Sequence, residues 1–508
     1  METPAATTPG RTSGFFLLLI ATALYLFVNG RWMIPIAAWL APVFLLRFMR
    51  TQRPLVAIPL GLITLSIVNV VVWRGLVPVP GGAYYAIAVG LAAMGFLPFI
   101  IDRIFAPRLS GLWATLVLPL AAVALEFANT SLGPYGSWGA SAYTQTQDLP
   151  LLQILSVTGL CGVAFLIHWS AAVINAAWET GFDWSRCRSG LLRLAAVLVL
   201  VHFAGGARLL QSQGATVRVA SFTVRPRPAL DIGDLLSRRR APAAMDSVHA
   251  KLGVLRDSLL ARAAREAAAG ARIVFWSECN AVVMKSDEAD FIARGEALAK
   301  ERGIYLGMAL ASFTPGQGYY ENLLVIACPE GRTIARYHKG RPVPGDPERG
   351  ADLHLPVVET PHGRMAGAIC FDGDFPSFIH QAGEGRAGIL IVPSSDWLAI
   401  DPIHTRMALL RGIENGCSVV RQTNQGLSAA CDAYGRILAS ADYFTSKPTA
   451  MVAQVPTRRV HTIYRRVGDL FAWICIPALL ILAVFSIAQR GAKRFSTSAT
   501  TTQPRPGS

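Results

Sequence analysis

The sequence predicts a polytopic α-helical membrane domain of about eight spans joined to an α/β domain, and three observations carry that expectation. Apolar runs crowd the first two hundred residues, whereas residues from about 212 to 465 read as a mixed, charged, globular stretch. Hydrophobic residues make up 52% of the chain and charged residues only 16%, too apolar a balance for an ordinary soluble protein. Within the later stretch, short β-rich runs alternate with helical patterns, which argues a sheet with helices rather than a bundle.

A span needs roughly 20 mostly apolar residues to cross the hydrocarbon core. Eight runs qualify, centred on residues 14–30, 33–50, 55–77, 84–105, 110–129, 150–178, 190–209 and 468–489. The first lacks a basic-then-small cleavage pattern and is followed at once by another span, so it is expected to be retained. Arg11, the Arg47, Arg50 and Arg53 group, Arg103 and Arg108, Arg186 and Arg188, and finally Arg490, Lys493 and Arg494 fall in alternate loops. The intervening loops hold only Arg31 and Arg74. Because cytoplasmic loops retain Lys and Arg, both termini are expected in the cytoplasm. The expected organisation is seven spans over residues 1–210, an extracytoplasmic domain over 211–465, an eighth span over 466–490 and a disordered cytoplasmic tail over 491–508.

The net charge of +15 does not indicate nucleic acid, because the basic residues are not interleaved with aromatics on one face. The Arg238-Arg239-Arg240 run reads as a solvated loop. Eight cysteines form no C-x-x-C pair, which excludes a zinc ribbon and a thioredoxin-like motif. Five of them, Cys279, Cys328, Cys370, Cys417 and Cys431, lie in the globular stretch, so an odd thiol is expected to be free or paired elsewhere. No H-E-x-x-H and no P-loop pattern occurs, so neither a metal nor a nucleotide cofactor is expected.

Strands are expected at Val217 to Val224, Arg272 to Trp276, Ile304 to Ala309, Asn322 to Ala327, Met365 to Ile369, Gly388 to Val392, Ser418 to Thr423 and Leu427 to Cys431. Helices are expected at Met245 to Ala269, Asp287 to Lys300 and His404 to Asn415. Glu278 and Cys370 each stand just after an apolar strand, where sites collect in α/β sheets. Lys339 stands in the polar loop Arg336-Tyr337-His338-Lys339-Gly340-Arg341-Pro342-Val343-Pro344-Gly345-Asp346. Together they form a complete acyl-transfer unit: a thiolate as nucleophile, a carboxylate to take its proton and an ammonium to hold the oxyanion. His338, next to Lys339 on a strand, is expected to point away from it.

The order Glu278, Lys339, Cys370, at separations of 61 and then 31 positions, resembles the nitrilase superfamily of carbon-nitrogen hydrolases. The insertion of such a domain before a last span resembles one branch, the bacterial apolipoprotein N-acyltransferases. Leu125-Glu126-Phe127, Tyr143-x-Gln145, Leu152-Gln153, the run from His404 through Met407, Arg411 and Glu414 to Gly416, and Thr423-Asn424-x-Gly426 carry the same resemblance. It implies an α-β-β-α sandwich, a bacterial inner-membrane location and no cofactor. It also implies two substrates, a phospholipid acyl donor and a diacylglyceryl-modified apolipoprotein, joined through a thioester on Cys370. One chain holds the whole triad, so activity as a monomer is expected.

The chain departs from the family pattern at four places. The Tyr-Glu pair after the nucleophile reads Phe371-Asp372, and the Val-Pro-Phe-Gly-Glu loop reads Val343-Pro344-Gly345-Asp346. Asn-Asp-Ala-Trp reads Ser395-Asp396-Trp397, and the Gln-x-Asn motif is replaced by Ser221-Phe222-Thr223-Val224. Asp346, Phe371, Asp372, Trp397 and Glu126 are therefore expected to support the triad or touch substrate. Trp397, Leu398, Tyr443 and Phe444 each read first as an ordinary core or loop-anchoring side chain, with an apolar lid as the alternative, and Glu126 is singled out as a carboxylate inside a span. His404 is expected to pack or support the site. The residues alone also fit a membrane-tethered amidase or nitrilase with water as acceptor, and a paralogue that binds lipoproteins without turnover.

Overall fold

The computed structural model describes residues 11–225, 242–350, 352–446 and 450–500. The Arg238-Arg239-Arg240 run and the end of the tail, residues 501–508, lie outside them.

Seven long helices precede the sheets: α1 (Arg11–Tyr25), α2 (Pro35–Thr51), α3 (Pro54–Val72), α4 (Gly82–Phe105), α5 (Gly111–Leu132), α6 (Cys161–Glu179) and α7 (Trp184–Leu209). Of these, α3 to α7 are long and apolar enough to cross a membrane, as is the final helix Leu470–Thr500 over its first twenty residues, which makes six such helices among the described residues. The shorter α1 and α2, of 15 and 17 residues, pack against each other and against the same bundle. The run from 150 to 178, expected as one span, divides at Gly159. Its first part forms two single turns, Leu149–Leu152 and Leu155–Thr158. Gly159 adopts φ +60°, and a Cβ there would meet the Tyr464 ring at 2.5 Å, so the break seats the bundle against the domain above it.

The domain itself is a four-layer α-β-β-α sandwich. One sheet has eight strands: β1 (Thr216–Phe222), β2 (Ile273–Trp276), β3 (Ala281–Met284), β4 (Tyr305–Phe313), β5 (Tyr320–Ala327), β6 (Thr333–His338), β7 (Glu348–Arg349) and β14 (Ala450–Pro456). The other has six: β8 (Val357–Thr360), β9 (Gly363–Gly367), β10 (Ile389–Ser395), β11 (Ser418–Asn424), β12 (Leu427–Cys431) and β13 (Ile437–Asp442). The central strands β1, β2 and β4, and β9, β10 and β11, run parallel. They are buried on both faces, which is why they read as continuous apolar runs.

Two cores hold the layers. Val217, Val219, Phe275 and Leu324 of the first sheet meet Ile389, Ile391 and Val419 of the second. On the outer face, Phe222, Val274, Trp276 and Leu306 meet Leu255 and Leu259 of α8 (Pro242–Ala268) and Phe291 of α9 (Glu288–Arg302). Helices α10 (Pro376–Glu384) and α11 (Ile403–Asn415) cover the second sheet.

Helix α11 has two buried sides. Leu409 joins the sheet core, while Met407, Leu410 and Ile413 pack with Tyr143, Leu152, Leu155 and Val163 of the membrane bundle. That double burial explains the apolar run in this helix, and it makes α11 the floor on which the sandwich rests on the spans. Tyr143 and Gln153 tie the same joint: the Arg411 guanidinium donates to the Tyr143 hydroxyl at 3.2 Å, and Gln153 donates to the Tyr434 carbonyl at 2.9 Å.

Candidate functional site

Because β2 and β9 run forward and the meander β4-β5-β6 turns β6 forward as well, the residues after β2, β6 and β9 all emerge at one end of the sandwich. Glu278, Lys339 and Cys370 are those residues, and they line one cavity of about 320 Å³. All three are buried. The Glu278 amide donates to the Ser394 carbonyl at 3.2 Å across the two sheets, and the Lys339 amide donates to the Asn322 carbonyl at 2.9 Å. Cys370 opens a tight turn, Cys370–Asp374, with φ +45°. A non-glycine residue held in the left-handed region is costly, and this one is kept by the packed strand and helix on either side.

Lys339 Nζ lies 2.9 Å from Glu278 Oε1, and 2.9 and 3.1 Å from the two oxygens of Glu348. Asn322 donates to Glu278 at 2.8 Å and to Glu348 at 2.9 Å, and the Tyr320 hydroxyl donates to Glu348 at 2.9 Å. Burial alone would pull the lysine down, yet Glu278 and Glu348 hold it well above its ordinary range, so it stays an ammonium. Burial likewise drives the Cys370 thiol well above its ordinary value, with Glu278 adding to the effect and Lys339 opposing it. At rest the thiol is therefore protonated, and it donates to the Ser395 carbonyl at 3.6 Å.

Glu348 was not among the residues singled out from the sequence. Asp346, expected in its place, lines the cavity but makes no ion pair with Lys339; burial raises its carboxyl, with Glu348 adding to the rise. The two-residue strand β7 pairs Glu348 with Tyr320, and that register brings Glu348 rather than Asp346 onto the lysine. The signal in the chain was a buried-type Tyr320-Glu321-Asn322 strand end facing a carboxylate two positions beyond the expected one.

The other expected residues divide. Phe371 lines the cavity and packs edge-on against Phe375 with ring centroids 5.2 Å apart. Asp372 is turned away from the cavity and holds its frame, accepting from Ile369 N at 2.8 Å, Arg341 N at 2.7 Å and the Tyr337 hydroxyl at 2.7 Å. Trp397 does line the cavity, and its indole N–H donates to the Gly75 carbonyl of the membrane domain at 2.8 Å.

Tyr443 and Phe444 do not line the cavity. Tyr443 stacks under Arg225, and Leu398 borders a different hollow beside Arg31 and Met33. The apolar wall comes instead from the membrane domain, with Trp73, Leu76, Val77, Leu91 and Trp138. Glu126 lines an adjoining cavity of about 190 Å³ that shares Trp73, Leu91, Asn129 and Trp138 with the first, and it accepts there from Ser141 N at 3.0 Å and Oγ at 2.6 Å. His338 faces Glu321 and Asp352, away from the triad as expected from its strand position.

His404 does more than pack. Its ring nitrogens lie 2.9 Å from Asp374 and 2.7 Å from Asp396, beside Cys370 in the cavity wall. Burial would lower the imidazole, but Asp374 and Asp396 push it up to about 9. Asp396 also takes both arms of Arg421 at 2.8 Å, and its carboxyl is held well below the usual range by Arg421 and His404 despite burial. Donor atoms of Cys370, Asp396 and His404 fall within 4.8 Å of one another. Arg421 already supplies the positive charge at Asp396, and both ring nitrogens are taken, so a cation would have to displace this network. None of the eight cysteines is disulfide-bonded.

Residues 250–463 match the carbon-nitrogen hydrolase family. The chain is 25% identical to the apolipoprotein N-acyltransferase of Geobacter metallireducens over 415 residues, 75% of each protein. It is 25% identical to that of Brucella suis over 476 residues, covering 84% of this chain and 86% of the relative. A shorter match, 37% identical over 106 residues, covers 20% of this chain and 31% of a formamidase of Bacillus cereus. The family match falls on the sandwich, whereas the longer relatives match well beyond its length. The sandwich is thus similar to carbon-nitrogen hydrolases, and along most of its length the chain is similar to apolipoprotein N-acyltransferases.

Proposed function

We propose that this protein moves a fatty acyl chain from a phospholipid to the α-amine of a diacylglyceryl-modified cysteine at a lipoprotein amino terminus, through a thioester on Cys370. The observation that carries the reading is the composition of the cavity. Its polar wall holds Glu278, Lys339 and Cys370, and its apolar wall is built from membrane-domain residues such as Trp73, Leu76 and Leu91. A lipid ester can reach such a cavity from the bilayer, whereas a small water-soluble amide has no use for a wall made of spans.

In the first half-reaction Glu278 takes the Cys370 proton as sulfur attacks the ester carbonyl, because a thiol with so high a pKa needs its base at the moment of attack. Lys339 Nζ holds the oxyanion. Collapse breaks the ester bond, and the proton on Glu278 goes to the departing lysophospholipid alkoxide. In the second half-reaction the lipoprotein amine attacks the thioester, Glu278 takes the amine proton, and the expelled thiolate is reprotonated. The products are an N-acyl lipoprotein, a lysophospholipid and the unchanged enzyme. The same reading puts the sandwich on the extracytoplasmic side of a bacterial inner membrane, with the single chain sufficient for activity.

Intact-mass measurement of the purified protein after incubation with phospholipid tests this directly. An added acyl mass, absent in Cys370→Ser and discharged by a diacylglyceryl lipopeptide, supports the transferase. Hydrolysis of short amides without any acyl adduct favours the alternative of a membrane-tethered hydrolase, a reading in line with the partial formamidase match. Neither activity in well-folded protein favours a binding-only role.

A further inference from the structure

A second hollow, of about 500 Å³, opens on the sandwich side of the membrane domain, away from the triad cavity. It lies where α7 ends at Leu209 and shortly before the final helix α12 begins at Leu470 (Leu470–Thr500). Arg208, Arg458, Arg459 and His461 line it. Its one lining carboxylate, Asp432, is already taken by Arg436 at 2.6 Å and by Gln213 at 2.6 Å. Among the described residues, no ion pair reaches Arg208, Arg458, Arg459, Arg465 or Arg466. Mutual repulsion is visible in the groups themselves: His461 is held below its ordinary value, chiefly by Arg465 and with Arg459 contributing, and Arg465 is lowered by burial and then by Arg459.

One buried guanidinium nitrogen of the lining, Arg208 Nη2, has no hydrogen-bond partner, and neither has Nη1 of Arg465, whose Nη2 lies 3.4 Å from the lining residue His461. Leaving a buried charged donor unmet is costly, which marks the cluster as built for something that brings acceptors and negative charge. Next to the lining residues in the chain stand exposed apolar side chains: Leu210 is 87% and Ile463 55% accessible.

We infer that this hollow is a docking site for one anionic phospholipid of the leaflet facing the sandwich. Its phosphate sits among Arg208, Arg458 and Arg459, and its acyl chains lie along the exposed apolar side of α7, which carries Val199, Leu200 and Phe203. A zwitterionic lipid fits poorly, because its headgroup cation would enter a cluster with no free carboxylate. The site is independent of acyl transfer and anchors the sandwich at the membrane joint.

Delipidated full-length protein in detergent is titrated with phosphatidylglycerol or phosphatidylcholine of matched chains, with bound lipid counted by native mass spectrometry. The expected result is one retained phosphatidylglycerol, preferred over phosphatidylcholine by about tenfold or more. Arg458→Gln and Arg459→Gln should each weaken it by about fivefold without altering phosphatidylcholine binding. Equal affinity for the two lipids in the unmodified protein overturns the inference, whether or not the variants fold. So does an unchanged preference in folded variants, or full displacement of the lipid by millimolar inorganic phosphate.

Discussion

Lys339 Nζ sits 2.9 Å from Glu348 Oε2, so the buried ammonium is clamped from a second side as well as by Glu278. A lysine held by one carboxylate can swing; one held by two, with Asn322 bridging both, is fixed where an oxyanion forms. Glu348→Gln removes one charge from that clamp and is expected to lower kcat on the order of a hundredfold. Asp346→Asn is expected to change it by less than about threefold. Steady-state rates of the two variants, with unfolding temperatures near that of the parent, check the difference.

His404 offers a prediction in pH. Its folded-state pKa of about 9 lies above the ordinary 6.5, so the charged imidazole adds stability that is fully present below about pH 6.5 and is lost as pH rises through about 9. His404→Gln leaves Asp374 and Asp396 short of a cation and is expected to cost about 3 kcal/mol near pH 6. The gap to the parent should shrink steadily toward pH 10. Thermal unfolding in detergent at pH 6, 8 and 10 measures it, and a gap independent of pH would refute the charged state.

Gly136 adopts φ +56°, and a Cβ there would lie 2.5 Å from the Asp374 carbonyl oxygen. That oxygen accepts from Ser137 N at 2.8 Å and Ser137 Oγ at 2.6 Å, joining the membrane-domain loop to the turn after Cys370. Gly136→Ala should therefore destabilise by about 1–2 kcal/mol and slow acylation of Cys370 in a single-turnover assay, although it touches no triad residue.

The absence of disulfides among all eight cysteines gives a direct count. Alkylation after denaturation without reductant should add eight equivalents, read by intact mass. Native alkylation should be slow, because every thiol but Cys279 is buried. A mass short by two equivalents would reveal a disulfide.

Much of the site was legible before any tertiary contact was known. Glu278 and Cys370 follow short apolar strands, and Lys339 follows a strand-like run, so their emergence at one edge comes from local pattern plus parallel strand order. Glu348 was not legible, because its placement depends on the two-residue pairing of β7 with β5, too short to leave a periodic signal. Tyr443 and Phe444 could not be sorted between lid and loop anchor for a related reason: an aromatic pair after a strand fits both, and the Arg225 contact that holds Tyr443 away from the cavity joins residues far apart in the chain.

By itself the sequence determined which segments are apolar enough to enter a bilayer, which runs form strands, and which three residue types could carry acyl transfer, since these follow from composition and periodicity along the chain. The tertiary structure decided the rest: that Gly159 breaks a span so that α11 can rest on it, that Glu348 joins the lysine, and that membrane residues wall the cavity. Those outcomes depend on contacts between residues hundreds of positions apart, such as Trp397 with Gly75 and Trp138 with Asp374. Burial and hydrogen-bond geometry select them only once the layers have packed.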